Sequence, residues 1–151
     1  MKILIAYGSL GKFFHLKEFS EALQKLDVQT MLVKDSDYST GFPSKKPKEW
    51  IGTNKKFKNL ISEFKPDAVF IDRQSHFGID TIKFKIPLFI LLRGHYWSEI
   101  EWAKKTLYKG PLMRTVIWFR NNIAEKCFRN ATAVLPICKY LEDVVKEHHP
   151  N

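Results

Sequence analysis

Three short polar stretches, each directly behind an apolar run, hold the residue types that could do chemistry. Gly8-Ser9-Leu10-Gly11 follows Lys2–Tyr7, Arg73 to Gly78 follows Asp67–Asp72, and Arg93-Gly94-His95 follows Leu88–Leu92. Amides of a glycine turn and of the helix start behind it can cradle a phosphate. Gly8, Ser9 and Gly11 form neither the dinucleotide fingerprint nor the phosphate loop with its Lys-Ser/Thr pair, so a tight turn alone is the competing reading. Arg93 can bind an anion or pair with an acid. A lone histidine such as His95 is commonly structural, and His15 is either an exposed first-turn residue or part of the same cleft. Asp72, Arg73, Ser75 and His76 share one exit loop, where Asp72 can also cap a turn. In open α/β sheets ligands bind at the carboxyl ends of the strands, so parallel strands would bring all these residues to one edge.

The elements that must position them follow from periodicity. Lys2–Tyr7 reads as a strand. Leu16, Phe19, Leu23 and Leu26 recur at helical spacing and predict a helix over His15–Lys25. Val28–Val33 is a second strand, and Asp35–Lys48, with Gly41, Pro43 and Pro47, an exposed loop. Thr53–Phe64 is a helix with Phe57, Leu60, Ile61 and Phe64 on one face, stopped by Pro66. Asp67–Asp72 is a third strand, and Ile79–Phe84 a short helix. The unbroken run Leu88–Leu92 predicts a central strand buried on both faces. Trp97–Tyr108 is helical. Gly110 closes it and Pro111 opens a helix to Arg129, with Leu112, Val116, Phe119, Ile123 and Cys127 on one face. Thr132–Ile137 is a fifth strand. Cys138–Glu147 is the last helix, with Tyr140, Leu141, Val144 and Val145 inward. This alternation predicts the α/β class, a doubly wound, mostly parallel Rossmann-like sheet with helices on both faces. Residues 1–151 read as one domain, cut before a further strand.

At 151 residues with 44% hydrophobic content, the chain is long and apolar enough for a folded core. No apolar run approaches the roughly 20 residues of a spanning helix, and no signal peptide is expected. Cys127 and Cys138 form no disulfide framework or metal spacing and read as reduced, buried thiols of a cytoplasmic protein. No metal signature is present, and no cofactor is expected.

The net charge of +9 speaks to partners rather than fold. One basic group is Lys45, Lys46, Lys48, Lys55, Lys56 and Lys58. A second runs from Lys104 and Lys105 through Lys109, Arg114 and Arg120 to Lys126 and Arg129. Trp97 and Trp102 stand just before the second group and Trp118 lies within it. Tryptophan between cations suits an anionic membrane surface or an acidic partner. The bland alternatives are a solvated face for the charges and packing on a missing domain or a neighbouring helix for the aromatics.

Several segments together resemble the N-terminal domain of GT-B glycosyltransferases of the group that holds many retaining hexosyltransferases. They are Lys2-Ile3-Leu4-Ile5 with Gly8 and Gly11, Lys65-Pro66-Asp67-Ala68-Val69, His95 behind the fourth strand, Ala133-Val134-Leu135-Pro136-Ile137, and the terminal His149-Pro150. The family's adjacent glycines are here split by Ser9 and Leu10, and its serine at the last helix start is Cys138. The resemblance implies an acceptor-side half-enzyme, inactive without a donor-binding domain or partner chain. It assigns His95 to the transferred sugar and Gly8, Ser9 and Gly11 to the nucleotide-sugar donor. His15, Asp72, Arg73, Ser75, His76 and Arg93 become acceptor or cleft contacts. The helices around Trp97, Trp102, Lys104, Lys105, Lys109, Arg114 and Trp118 become a surface at the inner membrane face. A stand-alone flavodoxin-like module binding a nucleotide or a partner is the alternative. Nucleic acid ranks last, because no helix-turn-helix, RNA-binding motif or zinc spacing is present.

Overall fold

Isoleucine, leucine and tyrosine in Lys2–Tyr7 favour a pleated, half-buried backbone, and this segment forms β1. The computed structural model describes residues 1–44 and 46–149. After β1 come α1 (Leu10–Gln24), β2 (Gln29–Lys34), α2 (Asp35–Tyr38), a 3₁₀ turn (Pro47–Glu49), α3 (Lys55–Phe64), β3 (Ala68–Ile71) and α4 (His76–Lys83). The chain continues through β4 (Leu88–Leu92), α5 (Tyr96–Thr106), α6 (Pro111–Arg129), β5 (Ala133–Pro136) and α7 (Lys139–His148). Lys45 of the first basic group and Pro150 of the His-Pro pair lie outside the described residues.

The five strands pair in parallel in the order β2-β1-β3-β4-β5. This is the doubly wound α/β class, with the flavodoxin-like strand order. The chain steps outward from β1 to β2, then crosses back to β3 on the other side of β1. The connections behind β1 and β3 therefore leave in opposite directions and open a crevice at their carboxyl ends.

Alternation along the strands divides the core. Leu4, Ala6, Val69, Ile71, Leu88, Ile90 and Leu92 join Phe57, Phe77, Ala124, Cys127 and Phe128 in the larger cluster. Ile5 and Phe70 face the other way and pack with Leu16 of α1 in a smaller one. Leu88–Leu92 is thus buried on one face only. Phe89 and Leu91 on the second face are half-buried, because α1 is a thinner cover than α3, α4 and α6 together.

Other differences from the periodicity reading have local causes. α1 starts at Leu10, five residues before the expected His15, so the first turn of the helix abuts the glycine loop. Leu26 is exposed, because the helix has ended and Asp27, at a left-handed φ of 60°, reverses the chain. Asp35–Lys48 is not wholly a loop, since α2 occupies its start. His76 and Gly78 belong to α4 rather than to an exit loop. α6 buries Ile117, Ala124, Cys127 and Phe128, a stripe turned about one position from the expected one, and leaves Leu112 and Phe119 exposed. In α7 Leu141 and Val144 are buried, while Tyr140 points out. Cys127 is buried as expected, but Cys138 caps α7 and is exposed.

Candidate functional site: a cleft at the carboxyl edge of the sheet

β1, β3 and β4 end at one edge, so the residues behind them converge. They open on a cleft of about 1070 Å³ whose floor includes Gly8, Asp72, Arg73, Ser75 and Arg93. Its far wall comes from α5 and α6, with Ile100, Ala103, Leu107 and Ile117 beside Tyr96, Trp102 and Tyr108. One end is polar and charged and the other apolar and aromatic.

Two buried carboxylates organise the polar end. Asp72, immediately behind β3, accepts the Gly8 amide at 2.9 Å, which ties the β1 turn to β3. Its other oxygen stands 3.7 Å from Lys12 Nζ, and its side chain is fully buried. Asp35, at the end of β2, is gripped by Arg73 through contacts of 2.7, 3.0 and 3.2 Å. Asp35 is buried, while the Arg73 side chain is half-exposed towards the cleft. Arg73 crosses directly over Gly8, where an added Cβ would meet Arg73 Nε at 2.6 Å. A side chain at position 8 would have to displace Arg73 from this path. The β1 turn amide is already engaged by Asp72, so this loop is less open to a phosphate than its sequence suggests.

Side-chain bonds hold the chain that follows α2. His76 bonds the Phe42 carbonyl at 2.9 Å, and its ring fills the space a side chain at Gly41 would need. Ser44 bonds Glu49, and Trp50 Nε1 donates to the Ser44 carbonyl at 2.7 Å. Arg93 also lines the cleft, and among the described residues no carboxylate lies within ion-pair distance of it.

His95 has a structural task. Its Nδ1 accepts the Ser98 amide at 3.2 Å and so caps α5. It sits beside the cleft rather than in its lining. Trp97 is half-buried rather than an exposed surface residue: it packs on Phe128 at 5.1 Å, stacks on His148 at 4.2 Å and donates to Glu125 at 3.1 Å. Burial keeps the Tyr96 phenol protonated far above its usual range, with Glu125 and Cys127 adding to the effect. Burial likewise pushes the Cys127 thiol up to about 12, so it stays a thiol. Among the described residues no group of three or more His, Cys, Asp or Glu side chains could hold a metal ion.

The structure therefore brings together Gly8, Asp72, Arg73, Ser75, His76, Arg93 and Trp102. It leaves His15 on the exposed face of α1, and Ser9 and Gly11 outside the cleft lining. Lys104, Lys105, Lys109, Arg114 and Trp118 form an exposed face of α5, α6 and the turn between them. Sequence reasoning missed Lys12, Asp35 and Ser39. An acid directly behind the second strand was the available signal for Asp35, since it falls on the same edge as Asp72.

No family model matches the sequence. The chain is 37% identical over 73 residues to the ribosomal RNA small subunit methyltransferase Nep1 of Pyrococcus furiosus, a match taking in 42% of this chain and 33% of that protein. The chain thus spans about a third of the length of the curated relative it matches. That relative overturns the glycosyltransferase expectation. The nucleotide-sugar donor, the sugar acceptor and the donor-binding half implied by it fall as well. The low rank given to nucleic acid is corrected by the same finding, because the relative acts on RNA by name. The resemblance misled for a physical reason. A Lys-Pro-Asp turn into a strand, and an Ala-Val-Leu-Pro strand before a helix, suit any parallel α/β sheet and carry no chemistry of their own.

Proposed function

We propose that this chain binds a nucleotide-class ligand in the cleft behind β1 and β3. The observation that carries the reading is the reversal of strand order between β1 and β3, which is where open α/β sheets bind ligands. The lining supports it. Arg93 and the half-exposed Lys12 supply positive charge for a phosphate, and the apolar α5–α6 wall with Tyr96, Tyr108 and Trp102 suits a flat base. Titration with nucleoside mono-, di- and triphosphates, followed by tryptophan fluorescence and calorimetry, tests it. Saturable binding that Arg93→Ala weakens about tenfold is expected, the loss of one charge-assisted contact. No saturable binding of any of them would overturn the reading.

The partial relative favours a wider second reading, in which the whole protein transfers a methyl group to RNA and this cleft holds the donor or the base to be modified. The stretch from Trp102 to Arg120 supports it, with Lys104, Lys105, Lys109, Arg114 and Arg120 and no acid. Cations there would take backbone phosphates, and the exposed Trp102 and Trp118 would stack bases.

A further inference from the structure

Among the described residues four buried side-chain polar atoms have no hydrogen-bond partner: Ser39 Oγ, Asp72 Oδ2, Ser75 Oγ and His149 Nε2. The first three belong to residues that line the one cleft. Buried polar groups in folded proteins are nearly always satisfied. Three orphans around one cavity mark where the groups of a ligand complete the bonding.

Their chemistry selects the ligand group. Asp72 is 5% exposed, and its Oδ1 is committed to the Gly8 amide. Oδ2 has only Lys12 Nζ at 3.7 Å, too far for a hydrogen bond. A carboxylate accepts and does not donate, so its missing partner must donate. A phosphate oxygen cannot, and would be repelled. The hydroxyls of Ser39 and Ser75 both donate and accept. Ser75 is the N-cap of α4, yet its hydroxyl bonds none of the helix amides. One acceptor-only oxygen and two hydroxyls on residues that line the same cleft match a group that carries several hydroxyls of its own.

In dinucleotide-binding sheets an acid near the end of the second strand takes the ribose hydroxyls. The acid in that place here is Asp35, and it is consumed by Arg73. We infer that Asp72, with Ser39 and Ser75, forms a subsite for the ribose hydroxyls of the bound nucleotide. The half-exposed Lys12 gives way to the ligand when the hydroxyl arrives. The inference rests on the nucleotide reading and adds to it the part of the ligand that is read at the sheet edge.

Calorimetry with the four common ribonucleoside diphosphates and their 2′,3′-dideoxy counterparts tests it. The ribo forms are expected to bind at least about tenfold tighter, the ratio for losing a hydrogen bond to a charged acceptor. Asp72→Asn keeps an acceptor for Gly8 but replaces the charged oxygen at Oδ2 with a neutral amide, and it should lower the ratio. The Ser39→Ala/Ser75→Ala double variant leaves the Asp72–Gly8 tie intact and should lower the ratio too, so it decides the matter if Asp72→Asn does not fold. Equal binding of ribo and dideoxy forms by the wild type overturns the subsite and leaves the nucleotide reading standing. Absence of binding by every ribonucleotide overturns that reading and the subsite with it.

Discussion

Arg73 shows how a cation near a ligand cleft can be held rather than free. Its guanidinium spans from the Gly8 turn to the buried Asp35, so its loss strands a desolvated carboxylate. Arg73→Ala is expected to cost about 2 kcal/mol and lower the melting temperature by about 6 °C. Gly8→Ala pushes the same side chain aside, so the double variant should cost less than the sum of the two. Thermal melts of the three proteins check both points. The two cysteines differ as sharply. Cys127 is buried with its thiol raised to about 12, whereas Cys138 is exposed. A thiol reagent at neutral pH should react quickly with Cys138, and with Cys127 only after denaturation. His149 sets a pH dependence. Burial holds its ring below the usual range, Arg129 and His148 push the same way, and Glu125 opposes them. The folded chain therefore prefers the neutral ring. The contribution is complete above the unfolded value of 6.5 and is lost as pH falls through it towards the lower folded value. Denaturant melts should show stability falling between about pH 7 and pH 5, with a shallower fall in His149→Asn.

Among the elements, α6 is the one whose orientation matters most to the cleft. Its inner stripe carries Ile117 and Ala124 into the cleft wall, and Cys127 and Phe128 into the core. Phe128 also supports Trp97, and through it the capped start of α5. Phe128→Ala is expected to cost about 3–5 kcal/mol. Leu112→Ala, on the outer face, should cost less than about 1 kcal/mol. Urea unfolding of the pair reports which stripe is inward. The helical wheel misplaced this stripe because the first half of α6 is apolar on nearly every side, from Leu112 to Phe119. With no polar face to orient it, the rotation is decided by contact with α4 and α5. The short α2 was missed for a similar reason, since four residues cannot show a helical period.

At the scale of the molecule, Arg120 is the cation of the α5–α6 stretch that lines the cleft, while Lys104, Lys105, Lys109 and Arg114 are exposed outside its lining. If RNA is the partner, affinity should fall steeply with salt. Mobility-shift titrations at about 50 and 200 mM salt should show a drop of at least tenfold, reduced in the Lys104→Ala/Lys105→Ala variant. A flat salt response would set this stretch aside as a solvated face.

The alternation of strands and helices and the parallel α/β class were legible in the chain itself. They are local properties, written in runs such as Leu88–Leu92, in Pro66 and Pro111, and in the helical recurrence of Phe57, Leu60, Ile61 and Phe64. That Asp72, Arg73, Ser75, His76 and Arg93 share one edge also followed, because parallel strands all end on the same side. Strand order and side-chain partners were not legible. Gly8 meets Asp72 across 64 residues and Arg73 meets Asp35 across 38, and no local pattern encodes such pairs. Only the packed sheet, by seating β3 beside β1, decided which acid holds Arg73 and which keeps an unpartnered oxygen at the cleft.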